Sequence, residues 1–264
     1  MSFSELDKHY MARAIELAAQ GRFTTAPNPN VGSVIVRDGE IVGEGYHRQA
    51  GGPHAEVFAL RQAEHLASGA TCYVTLEPCS HYGRTGPCAL ALVNAGVKKV
   101  VVAMLDPNPL VAGRGIQILQ DAGIEVQVGL LEEQARALNP GFLSRMERQK
   151  PYIRLKLATS LDGRIALANG KSQWISSPES RSDVHLMRAQ AHAILSTATT
   201  VLADNARLTV RPEGLAISRL EDGSVRQPIR VILDRSLKLT GRELLFSQNG
   251  PIVLVHDCLL YTSD

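Results

Sequence analysis

Residues 31–45 read Val31-Gly-Ser-Val-Ile-Val-Arg-Asp-Gly-Glu-Ile-Val-Gly-Glu-Gly45, and this stretch decides the fold. An apolar strand over residues 31–36 meets the turn pair Asp38-Gly39, and residues 40–45 return, which predicts a β-hairpin. Ahead of it, Tyr10, Ala14, Leu17 and Ala18 recur at helical spacing until Gly21 stops the helix. The intervening Thr25-Ala-Pro-Asn-Pro-Asn30 contains two prolines that forbid regular structure. Beyond the hairpin, Gly51-Gly52-Pro53 opens a second helix with Val57, Leu60, Ala63 and Ala67 on one face. Strands at residues 70–76, 98–104 and 124–128 then alternate with helices at 87–95 and 113–122. Such alternation predicts a layered α/β domain with mainly parallel pairing after the hairpin.

Residues 131–146 read as helix, broken at Asn139-Pro140-Gly141, and the polar stretch 147–151 is the linker candidate. The pattern then restarts with a strand at 152–158, a helix at 177–191, and strands at 193–195, 229–233 and 252–255. Ser177-Pro178-Glu179 is a good helix start, with a capping hydroxyl, a proline at the first position and an acid in the first turn. Two domains are expected, residues 1–147 and 148–264, a division that suits a chain of 264 residues.

Apolar residues make up 44% and charged residues 20%, enough to bury a core and too apolar for disorder. No apolar run approaches a membrane span, and Glu5, Asp7 and Glu16 interrupt any secretory signal, so a cytoplasmic protein is expected. A net charge of +2 excludes a strongly basic nucleic-acid protein. The charge is unevenly spread: residues 1–147 hold 12 Lys+Arg and 15 Asp+Glu (−3), and residues 148–264 hold 16 and 11 (+5). A basic second half suits a phosphorylated ligand or is ordinary surface variation. The four cysteines (Cys72, Cys79, Cys88 and Cys258) are too few for a disulfide framework and fit metal ligation or burial.

The chemistry concentrates in His54-Ala55-Glu56 at a helix start and in Pro78-Cys79 with Cys88 nine residues on. One imidazole and two thiolates suit tetrahedral zinc with a fourth position left open. Glu56, two residues past the histidine, is not needed as a ligand and is placed to carry protons. Histidine-x-glutamate and proline-cysteine are elements of zinc-dependent base deaminases, whose cysteines are however separated by only two residues. Cys72, in an apolar strand, reads as core. The loop Ser80-His81-Tyr82-Gly83-Arg84-Thr85-Gly86-Pro87 stands between two ligand candidates, so His81 and Arg84 are placed to meet a substrate oxygen or phosphate. Asn28 and His47 are polar residues on neighbouring loops. On the residues alone, two rivals stay open: a zinc deaminase of another nucleoside or base, and a non-catalytic zinc-stabilised binding module with a fourth protein ligand.

The chain resembles the bifunctional deaminase/reductase family of riboflavin biosynthesis. The resemblance rests on Pro27-Asn-Pro-Asn-Val-Gly32, His54-Ala-Glu56 and Thr75-Leu-Glu-Pro-Cys-Ser-His-Tyr-Gly83, closed by Cys88; the eight-residue spacer is the family's own. It implies a cytidine-deaminase-like three-layer α/β/α domain, with Zn2+ on His54, Cys79 and Cys88 and Glu56 as proton shuttle. Asn28, His47, His81 and Arg84 would bind a phosphoribosylamino-pyrimidine. The second half matches at Lys156-Leu-Ala-Thr-Ser-Leu-Asp-Gly163, Ser172-Gln-Trp-Ile175, Thr200-Val-Leu-Ala-Asp204 and Leu208-Thr-Val-Arg211. These imply a partial dihydrofolate-reductase-like α/β domain that uses NADPH. By position, Ala158, Trp174, Thr200 and Asp204 would line the cofactor site, and Ser172, Arg188, Leu208 and Arg211 would meet the phosphorylated sugar. Asn205-Ala206 departs from the Asp-Pro pair common in relatives. Family members continue further, and residues 258–264 do not resemble them, so a truncated frame with a non-native end and an incomplete reductase is expected. The family also implies a homodimer acting on a small phosphorylated pyrimidine, with no nucleic acid and no membrane.

Overall fold

In the computed structural model, which describes residues 3–82, 86–109 and 111–257, the hairpin forms as expected. Strand β1 (Gly32–Arg37) pairs antiparallel with β2 (Glu40–Tyr46). Asp38 and Gly39 take the positive φ values of 52° and 83° that a tight hairpin turn requires. On its other edge β1 pairs antiparallel with β3 (Thr71–Val74), which is followed in parallel by β4 (Lys99–Val102) and β5 (Glu125–Val128). The five-stranded order is β2-β1-β3-β4-β5.

Helices cover both faces because the strand side chains alternate. Ile35, Cys72, Val74, Val100 and Val102 point to one face, packed with α2 (Ala55–Ala63), α3 (Cys88–Asn94) and α4 (Arg114–Asp121). Val34, Val36, Tyr73 and Val101 point to the other, against α1 (Glu5–Ala19), α5 (Glu132–Ala137) and α6 (Pro140–Arg148). This is the three-layer α/β/α arrangement, and Cys72 is core. Helix α1 begins in a capping box, in which Ser4 and Asp7 satisfy each other's backbone N–H groups.

One expected helix face is borne out in part, since Ala63 and Ala67 are buried and Leu60 packs against the core. Ala55, Ala59 and Ala63 of α2 are buried, whereas Val57 and Leu60 are half-buried. The cause lies in β2: a Cβ at Gly43 would stand 2.2 Å from the Ala59 carbonyl oxygen, and one at Gly45 2.3 Å from that of Ala55. Backbones this close leave room only for methyl groups between them.

The backbone divides into two units, Met1–Arg154 and Leu155–Asp264. In the second, β6 (Ala193–Thr197), β7 (Ile229–Leu233) and β8 (Ile252–Val255) form a parallel sheet in that order. Helix α7 (Pro178–Gln190) starts at Ser177, whose side chain accepts from the Ser180 N–H. Helix α8 (Ala198–Asp204), which the sequence pattern did not announce, is capped by Thr197 in the same way. The strand expected at residues 152–158 is absent. Ile153 and Leu155 alternate with Arg154 and Lys156 as a strand would, yet both apolar side chains are 80% exposed. Alternation makes a strand only where a neighbour supplies ladder hydrogen bonds, and none is paired with this stretch among the described residues. No helix among the described residues is long and apolar enough to cross a membrane.

Candidate metal centre and active site

The N-termini of α2 and α3 meet the loop that follows β3, bringing together residues far apart in sequence. His54 is the N-cap of α2, Cys79 lies in the loop, and Cys88 is the first residue of α3. The His54 Nδ1 stands 3.5 Å from the Cys79 Sγ and 3.3 Å from the Cys88 Sγ. All three donor atoms lie within 4.8 Å of one another, and no fourth His, Cys, Asp or Glu joins them among the described residues. Tetrahedral zinc, with bonds near 2.05 Å to nitrogen and 2.3 Å to sulfur, would hold N and S about 3.5 Å apart. The separations fit.

Charge tells the same story. The Cys88 backbone N–H, at the start of α3, donates to the Cys79 Sγ at 3.3 Å. The Cys79 thiol is pulled down to about 4, chiefly by the hydrogen bond from the Cys88 thiol and also by that with His54. Cys88 is pushed upward, because its partner takes the first negative charge and because it is buried. Two thiolates side by side need a cation between them.

Glu56 completes the arrangement. It sits in the first turn of α2, is 3% exposed, and its Oε2 has no hydrogen-bond partner. Burial pushes its carboxyl up to about 7; the His54 charge opposes this and the Cys79 charge adds to it. A buried, unpartnered carboxylate oxygen costs free energy unless a further group meets it. The carboxylate lies beside the Cys88 thiol.

His47 and Asn28 adjoin this cluster. The His47 ring packs edge-on against His54 with centroids 5.4 Å apart. Its Nδ1 lies 3.0 Å from the Pro53 carbonyl, so Nδ1 carries the proton and Nε2 accepts from the Asn28 Nδ2 at 3.1 Å. Burial lowers the His47 pKa, in keeping with a neutral ring. His81 is exposed on the loop, near enough to Asp106 for its charge to act on that carboxyl. Arg84 lies outside the described residues, as do Cys258 and the rest of the segment expected to be non-native.

A residue that pattern reading did not single out holds the ligand loop. The Glu77 carboxylate, buried two residues before Cys79, accepts from the backbone N–H groups of Asp106, Gly113, Gly115 and Ile116 at 3.2, 3.0, 2.9 and 3.4 Å. It thereby ties the start of α4 to the loop, as a carboxylate does at a helix N-terminus. Gly115 permits the approach, since a Cβ there would be 1.9 Å from the Pro78 carbonyl oxygen.

In the second unit, Arg188 on the last turn of α7 donates to the Thr209 carbonyl at 3.2 Å. The Arg211 Nε lies 3.1 Å from the His185 Nε2, and Leu208 is buried close by in sequence. His185 was not foreseen; only its place on the buried face of α7 could have signalled it. Burial, followed by the charges of Arg188 and Arg211, lowers its pKa to about 4. Thr200 and Asp204 occupy α8 one turn apart. Ala158, Ser172 and Trp174 lie on the irregular stretch before α7, where the Arg181 guanidinium stacks 4.3 Å from the Trp174 ring.

Known proteins share both halves. Residues 4–104 match the cytidine and deoxycytidylate deaminase zinc-binding region, and residues 151–258 match the RibD C-terminal domain. The riboflavin biosynthesis protein RibD of Escherichia coli (strain K12) is 58% identical over 247 residues, which is 92% of this chain and 67% of that protein. The structure of Acinetobacter baumannii RibD matches with a TM-score of 0.89 and 52% identity, covering 96% of this chain and 70% of that one. A Thermotoga maritima deaminase/reductase structure gives 0.86 and 40%, covering 98% and 72%. The chain therefore belongs to the RibD family, as an α/β enzyme of riboflavin biosynthesis with zinc-dependent deaminase and NADPH-dependent reductase activities.

Proposed function

We propose that residues 1–147 deaminate 2,5-diamino-6-(5-phosphoribosylamino)pyrimidin-4-one, with His54, Cys79 and Cys88 holding Zn2+ and Glu56 moving the protons. The observation that carries this reading is the unpartnered Glu56 Oε2, buried beside a cluster of three donors. When bound, zinc supplies Lewis acidity that lowers the pKa of a water from about 16 to roughly 7. Glu56 Oε2 takes a proton from the attacking water and passes it to the pyrimidine ring nitrogen beside the amine-bearing carbon. It then takes the remaining proton from the newly added hydroxyl and delivers it to the departing amine, so that ammonia leaves and oxygen stays on the ring as a carbonyl. Asn28 and the neutral His47 orient the pyrimidine from one side, and His81 and Arg84 meet its phosphate from the loop.

Residues 148–264 are assigned to the NADPH-dependent reduction of the ribosyl group to a ribityl chain. NADPH supplies the hydride. Arg188 and Arg211, each close enough to act on the same His185, are suited to bind a sugar phosphate, with Ser172 and Leu208 beside it. Ala158, Trp174, Thr200 and Asp204 are assigned to the cofactor. Cys72, Cys79 and Cys88 are free thiols, which accords with a cytoplasmic enzyme, and the family resemblance supports a homodimer.

The test is ammonia release from the diaminopyrimidine phosphate and from cytidine, each with and without NADPH. The reading expects release from the phosphate compound in the absence of NADPH and little from cytidine. Preference for cytidine would overturn the substrate assignment.

A further inference from the structure

We propose that Asn139, at the break between α5 and α6, is a positioning residue for deamination: it clamps the loop that presents Asn28 to the substrate. This rests on the reading that Asn28 contacts the pyrimidine.

Asn139 occupies the N-cap position of α6, where an asparagine side chain ordinarily accepts an N–H of its own helix. Here it makes no such bond. The side chain is buried and is directed instead to a residue 109 positions away. Its Oδ1 accepts the Asn30 backbone N–H at 2.7 Å, and its Nδ2 donates to the Asn30 carbonyl at 2.9 Å. A carboxamide offers a donor and an acceptor in one plane, so it pairs with a peptide group as a neighbouring strand would. The Asn30 side chain reciprocates: its Nδ2 donates to the Leu138 carbonyl at 3.0 Å, while its Oδ1 accepts from the Thr25 hydroxyl at 2.8 Å.

The loop between Thr25 and Asn30 is thus held from both sides. Within it, the Asn28 N–H donates to the Thr25 carbonyl at 2.8 Å. Toward the metal cluster, the Asn28 side chain meets His47. Away from it, only Pro29 separates Asn28 from the backbone that Asn139 grips. Loss of the grip leaves the metal donors untouched and frees the loop, so the expected damage is to substrate binding.

The experiment compares Asn139→Ala, Asn28→Ala and the double variant in the full chain, measuring zinc content, melting temperature and deamination kinetics. Asn139→Ala is expected to keep zinc and to raise KM about tenfold with kcat changed less than about threefold, the pattern of lost binding rather than lost chemistry. The double variant is expected to be no worse than Asn28→Ala, because a clamp acting only through the loop has nothing left to position. Asn139→Ser retains a residue type favoured at an N-cap but is too short to span both Asn30 groups. It should raise KM at an unchanged melting temperature, which answers the case in which the alanine variant does not fold. Additive effects in the double variant, or an unchanged KM in a folded Asn139→Ser, would overturn the proposal. An unchanged KM in Asn28→Ala would instead overturn the reading on which it rests.

Discussion

Glu56 is a carboxyl with nowhere to spend one of its oxygens, and its replacement by the isosteric amide is the sharpest probe of the site. Glu56→Gln keeps the volume and the helix but cannot carry a proton. Deamination should fall by about 10²–10⁴-fold, the usual worth of a positioned acid–base group, while zinc measured by elemental analysis stays bound. Near-normal turnover would refute the proton-carrying role. At this scale the sequence was unusually legible where chemistry resides in residue identity: an imidazole, two thiols and a carboxylate at fixed offsets announce themselves. Glu77 and Asn139 did not, because their partners are backbone groups contributed by distant segments. Asn139 looked like an ordinary feature of an Asn-Pro-Gly helix break, and no local pattern reveals that its side chain serves residue 30.

Among the elements, the hairpin and the start of α7 at Ser177 were readable because a turn pair and a capping hydroxyl act on their immediate neighbours. The face of α2 was readable only in part, since the burial of Ala55 and Ala59 depends on Gly43 and Gly45 in another element. Gly45→Ala tests that packing. Its Cβ would press on the Ala55 carbonyl from 2.3 Å, so α2 must shift, at a cost of about 1–3 kcal/mol for such overpacking. The expected result is a lower melting temperature together with weaker zinc retention, because the displaced helix carries His54. A lower melting temperature with zinc affinity unchanged would show that the site does not depend on this contact. The missing strand at 152–158 teaches the converse lesson: alternation was present, and a partner was not.

For the molecule as a whole, the alternation of strands and helices foretold an α/β architecture. Strand order was beyond its reach, since which strands become neighbours depends on how helices pack over both faces. The second unit also carries a stability term that depends on acidity. His185 binds its proton with a pKa of about 4 when folded, against an ordinary value of 6.5, because burial and two arginines disfavour the imidazolium. The unfolded chain therefore binds more protons between these values, so stability is fully present above about pH 6.5 and falls as the pH drops toward 4. Denaturation of the enzyme followed at Trp174, which lies in this unit, should show that slope, and His185→Gln should flatten it. An unchanged slope would remove His185 as its source.

His54 and Glu56 ride on a single helix whose backbone rests directly on the strand below. They can move only together. Cys79 belongs to a loop, and eight residues separate it from Cys88. Ion exchange with solution should therefore begin at Cys79, with the two donors at helix starts, His54 and Cys88, letting go later.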